Sequence, residues 1–253
     1  MVALTEQIQQ DLKHLEQRVT QVAIELQGLY ADYLQCLGSS VQQQLILASY
    51  HLCTQTHPEI FLTLSLTQRQ TLQQSLQKLA YALLQCLLGA ATPLVALETD
   101  TGLKPETVMK VCEEIEDAIV GHLRQAAMAA NRLLQEHGMI KISSLEKLFA
   151  IAVKEEELGR PITSEAHLLK ALVDSPDDDD EQVAPVVALY LQLSEIEFTD
   201  STVMKWRNQL RQAFQQLLSL QKEYFQKQEE LTRAEATSAW RASWFPYLPE
   251  TPA

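Results

Sequence analysis

At 253 residues, 46% of them apolar, with a formal charge of −13, the chain can bury one large or two smaller helical cores, and its charge repels nucleic-acid phosphates and anionic lipid head groups. Its seven glycines are too few and too scattered for phosphate-cradling loops or the tight turns of an all-β fold. Cys36, Cys53, Cys86 and Cys112 sit inside apolar helical patterns, and the N-terminus is glutamine-rich rather than basic then apolar, so reduced thiols in a cytoplasmic compartment are expected.

The first element is a helix over residues 4–37. Ile8, Leu12, Leu15, Val19, Val22, Leu26, Leu29, Tyr33 and Cys36 alternate spacings of four and three, which makes one apolar seam that must be buried against other helices. After Gly38 and two serines, Val41, Leu45, Ile46, Leu47, Tyr50 and Leu52 predict a second helix, or a kinked continuation of the first, that stops at His57 and Pro58. Cys53 and His57 lie four apart, on one helical face, with His51 nearby. Zinc needs a fourth ligand and usually a second pair, and none is evident locally, so no metal and no cofactor is expected.

Thr67 followed by Gln70 reads as a capping box for a helix with the stripe Leu72, Leu76, Leu79, Leu83 and Leu87, ending near Gly89. Residues 79–97 carry no charge, the minimum length for a membrane span. Gln85, Thr92 and Pro93 favour instead a central bundle helix, ended by Pro93 and followed by a buried connection. Pro105 marks a helix start, and Val108, Cys112, Ile115, Ile119, Leu123, Ala126, Ala130 and Leu133 run to Gly138. Glu113, Glu114, Glu116 and Asp117 read as its solvated acidic face; a di-iron site would require Glu followed three residues later by His on two helices, which does not occur.

Ser143 and Glu146 predict a further capping box, with Leu145, Leu148, Phe149, Ala152 and Val153 buried and a stop at Gly159, Arg160 and Pro161. Thr163 or Ser164 would then cap a short helix that buries Leu168, Leu169, Leu172 and Val173. The run from Ala150 through Glu157, Leu158, Gly159, Pro161, Ile162, Glu165, His167, Leu168, Leu169, Leu172 and Asp174 resembles one helical repeat of the N-terminal domain of Clp-type chaperone ATPases. The resemblance covers about 25 of the 253 residues and implies a role in docking adaptors or substrates. This chain departs from the family pattern in two ways: Ala166 separates Glu165 from His167, and there is no second copy of the repeat. A generic helix, Gly-Pro turn and helix gives the same pattern.

Asp174, Asp177, Asp178, Asp179, Asp180 and Glu181 read as a solvated loop that divides the chain. Beyond Pro185, Val186, Val187, Leu189, Tyr190, Leu191 and Leu193 suit either a buried helix or a strand, and the helical surroundings favour a helix. Asp200 and Ser201 offer caps for the last long helix, with Val203, Trp206, Leu210, Ala213, Leu217, Leu220 and Tyr224 on its seam. Trp240, Trp244, Phe245, Tyr247 and Leu248, among Pro246, Pro249 and Pro252, form an aromatic tail. It either folds back on its own bundle or anchors a partner.

The fold class expected is all-α, a bundle of long antiparallel helices with coiled-coil-like heptad seams. It divides into an N-terminal bundle (1–140), a short helix pair (141–175), an acidic loop (176–183), C-terminal helices packing on the bundle (184–238) and the aromatic tail (239–253). No catalytic motif is present, which points to a non-enzymatic scaffold or adaptor that binds a protein partner or associates with itself. Two alternatives stand beside it: a membrane-peripheral protein using residues 79–97 or the tail, without an integral span, and a ligand- or cofactor-binding helical bundle.

Overall fold

Helix α1 spans Val2–His51, about 75 Å at 1.5 Å per residue, in a computed structural model that describes residues 2–97, 102–140, 148–150, 152, 154, 163–165, 167–174 and 183–244. A five-residue π-turn, Leu52–Thr56, continues it. Then come α2 (Pro58–Thr63), α3 (Leu66–Gly89), α4 (Thr92–Ala96) and α5 (Pro105–Glu136). Strands β1 (Thr163–Glu165), β2 (Leu168–Asp174) and β3 (Val183–Leu189) precede α6 (Leu193–Thr199) and α7 (Ser201–Ser243). The fold is thus predominantly all-α, with one small antiparallel sheet in the order β1-β2-β3.

The seam of α1 follows the expected positions from Ile8 to Leu26 and then moves. Tyr30, Leu34 and Leu37 are buried, whereas Leu29 and Cys36 are only half-buried. An α-helix turns once per 3.6 residues, so a strict 3.5-residue stripe rotates off the buried face, and two successive steps of four, from Val22 to Leu26 to Tyr30, restore it. Gly38 does not interrupt the helix. It is buried, and a Cβ there would collide with Cδ1 of Leu84, so the glycine lets α1 and α3 approach closely.

The remaining helix ends have local causes. The box that opens α3 lies two residues before the expected one: Ser65 Oγ accepts from Gln68 N–H at 3.3 Å, and Gln68 Oε1 accepts from Ser65 N–H at 2.8 Å. Pro93 opens α4 rather than ending α3, a position where its missing N–H costs nothing. Pro105 begins α5 as expected. The end of α5 is a Schellman motif, with Met139 N–H donating to Leu134 O, Gly138 N–H donating to Gln135 O, and Gly138 at φ +74°. Asp200 caps α7 by accepting from Thr202 and Val203 N–H at 2.9 and 3.3 Å.

Three expectations are corrected. Residues 163–174 form β1 and β2 instead of the second helix of a pair, and the run after the acidic loop forms β3 instead of a helix. β3 is seven residues long and rich in β-branched valine, and its Pro185 has no N–H to give to a ladder; as an edge strand of the sheet it tolerates the proline. α3 is not a central helix: Leu72, Leu76, Ala80, Leu83 and Leu87 are buried, while Tyr81 and Leu88 are exposed. Residues 148–150, 152 and 154 are helical, with Leu148, Phe149 and Ala152 buried. The Ser143–Glu146 box, the stop at residues 159–161 and the acidic run 177–181 lie outside the described residues.

Two compact units result. One comprises Met1–Gly28, Pro93–Cys112 and Leu210–Ala253, the other Leu29–Thr92 and Glu113–Gln209. In the first, Glu223 pairs with Arg18, Tyr224 with Glu16 and Lys227 with Asp11. The numbers fall on one helix as they rise on the other, so α1 and α7 run antiparallel there.

Candidate functional site

The second unit holds a buried polar cluster that the apolar seams do not announce. Arg207 donates from both terminal nitrogens to the two oxygens of Glu116, each at 2.6 Å, and its Nε lies 2.7 Å from Glu197 Oε1. Tyr33 OH donates to Glu197 at 2.6 Å, Tyr30 OH donates to Glu116 at 2.8 Å, and the guanidinium lies 5.2 Å from the Tyr33 ring centroid. The side chains of Arg207 and Glu197 are only 16% and 10% exposed. Burial works against the charge of Arg207, but the hydrogen bonds to Glu116 and the fields of Tyr33, Glu116 and Glu197 outweigh it and hold the guanidinium above its usual range. Burial first, and then the neighbouring carboxylates, push the Tyr33 phenol well above its ordinary value despite Arg207. The cluster ties helices together: one guanidinium answers two carboxylates, leaving a formal excess of one negative charge, and the phenol stays protonated.

Glu116 was expected on a solvated face, and its engagement corrects that. The available signal was Arg207 itself, four residues after Val203 and three before Leu210, which is seam spacing. Buried Tyr33 also requires a partner for its hydroxyl.

Asn131 and His167 join helix to sheet in the same unit. Asn131, fully buried, donates to Leu189 O and accepts from Leu189 N–H, both at 2.8 Å. His167 has φ +62° and is buried, and its carbonyl accepts from Tyr190 N–H at 2.8 Å. Its Nδ1 lies 3.3 Å from Glu195 Oε2, without the alignment of a hydrogen bond. Desolvation lowers its pKa, and the Glu195 charge offsets this only in part.

The unit also contains a half-open cavity of about 470 Å³ beside the π-turn. Ser49, Cys53, Leu72 and Leu76 are its buried floor, and Tyr50, Gln73 and Gln77 its exposed rim. Cys53, one of the two residues with metal-ligand spacing, faces this cavity; its thiol is pushed up to about 11 by burial, which makes it an apolar wall at neutral pH rather than a nucleophile. His57 ends the π-turn, where its N–H donates to Leu52 O. Among the described residues no three His, Cys, Asp or Glu side chains converge as a metal site.

Of the tail residues, Trp240 and Trp244 are described. They are 66% and 64% exposed, with ring centroids 5.6 Å apart at the end of α7. Phe245, Tyr247 and Leu248 lie outside the described residues. Arg241, next to Trp240, lines a cleft of about 600 Å³ with Gln7, Asp11, Lys227 and Glu230 in the first unit. The stretch Leu66–Ala96 is long and apolar enough to cross a membrane, and only 33% of its most apolar window is buried. No known protein family, curated protein or solved structure matches this chain.

Proposed function

We propose that this chain is a non-enzymatic helical scaffold or adaptor that docks a protein partner at the C-terminal end of α7. The observation that supports this reading is the Trp240–Trp244 pair. Two indole rings four residues apart lie together on one face of a long helix, each about two-thirds exposed. Large aromatic surfaces of this kind carry disproportionate interface energy, and their NH groups add hydrogen bonds at the rim. Arg241, adjacent to Trp240 in sequence, lines the mixed-charge cleft on a neighbouring face of α7, so polar groups stand close along the helix to this apolar anchor.

The test is quantitative crosslinking and mass spectrometry on cells expressing the intact chain or its Trp240→Ala/Trp244→Ala variant. Loss of specific crosslinked proteins with an unchanged thermal melt supports the reading. An identical set of crosslinks overturns it.

A second reading rests on a separate observation. Within the uncharged run 79–97, α3 leaves Tyr81 and Leu88 exposed, seven residues apart on one helical face, an apolar surface suited to lying in a membrane interface. Peripheral binding of this kind requires sedimentation with zwitterionic phosphatidylcholine vesicles that Tyr81→Asp/Leu88→Asp abolishes.

A further inference from the structure

The cavity beside the π-turn has a lining of definite chemistry. The π-turn is closed by His57 N–H donating to Leu52 O at 3.0 Å, a bond five residues long that widens the end of α1. Such turns sacrifice regular helix geometry and recur at functional sites. Here the wide turn carries Cys53 and Thr54 in the wall, opposite Leu72 and Leu76 of α3, with Phe61 of α2 along one side.

The lining limits what fits. None of its ten residues is Asp, Glu, Lys, Arg or His, in a chain with a net charge of −13. A charged ligand would lose its hydration there without gaining a counter-charge. The hydroxyls of Ser49 and Thr54 already donate to Leu45 O and Tyr50 O, both at 2.8 Å. Gln73 and Gln77 are different: they stand four apart on one face of α3, exposed at the rim, with no hydrogen-bond partner among the described residues. Their amide groups can donate to a carbonyl or hydroxyl at the mouth. A volume of about 470 Å³ lies within the range that encloses most of a drug-sized molecule.

We infer that this cavity binds a neutral small molecule with a flat apolar body of about bicyclic-aromatic size and one carbonyl or hydroxyl group. The body lies on Leu72, Leu76 and Cys53 beside the Phe61 ring, and the polar group meets Gln73 and Gln77.

Prodan, a neutral naphthalene with a ketone acceptor, is the probe. Titrated into the intact protein, it should bind saturably at one site per chain with a blue-shifted emission. The anionic probe anilinonaphthalene sulfonate should not compete for that site. Ile46→Trp, which fills the cavity from its half-buried wall, should weaken prodan binding at least tenfold. Gln73→Ala/Gln77→Ala, confined to exposed positions, should weaken it about threefold or more and leave the circular-dichroism melt unchanged. Non-saturable prodan fluorescence overturns the inference, as does unchanged affinity in a folded Ile46→Trp protein. Should Ile46→Trp fail to fold, the glutamine pair decides: unchanged affinity there overturns the inference, and weakened affinity supports it.

Discussion

The two units solve the same problem, joining long helices through charge, in opposite surroundings. In the first, Arg18 and Glu223 meet at 2.9 Å with both side chains nearly half exposed, at 48% and 45%. In the second, Arg207 meets two carboxylates and stacks near a phenol ring out of contact with most water. Water already solvates the exposed pair, so bringing its members together gains little. The buried set has no such alternative, and each member is held because the others would be stranded without it. Arg207 reaches its carboxylates at 2.6 to 2.7 Å where Arg18 makes one contact at 2.9 Å, and exposure widens that difference.

Arg207→Met breaks the comparison most sharply. It leaves Glu116 and Glu197 facing each other without a cation and should destabilise the protein by about 3 to 5 kcal/mol, as for breaking a buried ion pair. Chemical denaturation measures it, and a loss under 1 kcal/mol would place the cluster among surface pairs. Tyr33→Phe removes only the hydroxyl that donates to Glu197 and should cost about 1 to 2 kcal/mol, since Arg207 still satisfies that carboxylate.

Acid separates the units by window. His167 in the second unit has its pKa lowered below 6.5 by burial, so the unfolded chain takes up the proton first. Its contribution is fully present above pH 6.5 and is lost as pH falls through its folded value. His57, lowered by burial as well, acts in the same direction. Asp11 in the first unit is lowered below 3.8 by its bonds to Gln7 and Lys227, so its contribution survives until the pH drops below that value. Melting temperature should therefore begin to fall below pH 6.5, and His167→Asn, which suits the positive φ, should flatten that part of the profile. An equally steep profile in the variant would remove His167 from the account. The smallest effect is expected for Arg18→Gln, at about 0.5 kcal/mol or less and fading with added salt.

Helix existence was legible in the residues; helix partnership was not. Pro105, Gly138 and Asp200 marked their helix ends because each acts through local backbone chemistry. Positions 8 to 26 of the α1 seam were correct, and positions 29 and 36 were displaced by one because a heptad count ignores the true helical pitch. The sheet escaped detection because short apolar runs such as Val183–Leu189 suit either period, and pairing with a strand some 15 residues away decides between them. The Arg207 cluster draws on α1, α5, α6 and α7, and only packing brings those sequence-distant groups together. The Trp240–Trp244 pair was visible from its spacing alone, as was the uncharged run 79–97.

Asn131 has one more consequence, for association between chains. β3 lies at the edge of the described sheet, and an edge strand offers open backbone groups to any other extended segment. At Leu189 both groups are already occupied by a single side-chain amide, so the last position of that edge is closed from within the same molecule. A strand approaching from a second chain would have to displace a buried, doubly bonded asparagine before it could pair at Leu189. The helix that carries Asn131 thus sets where, at that end of β3, the ladder can no longer be extended.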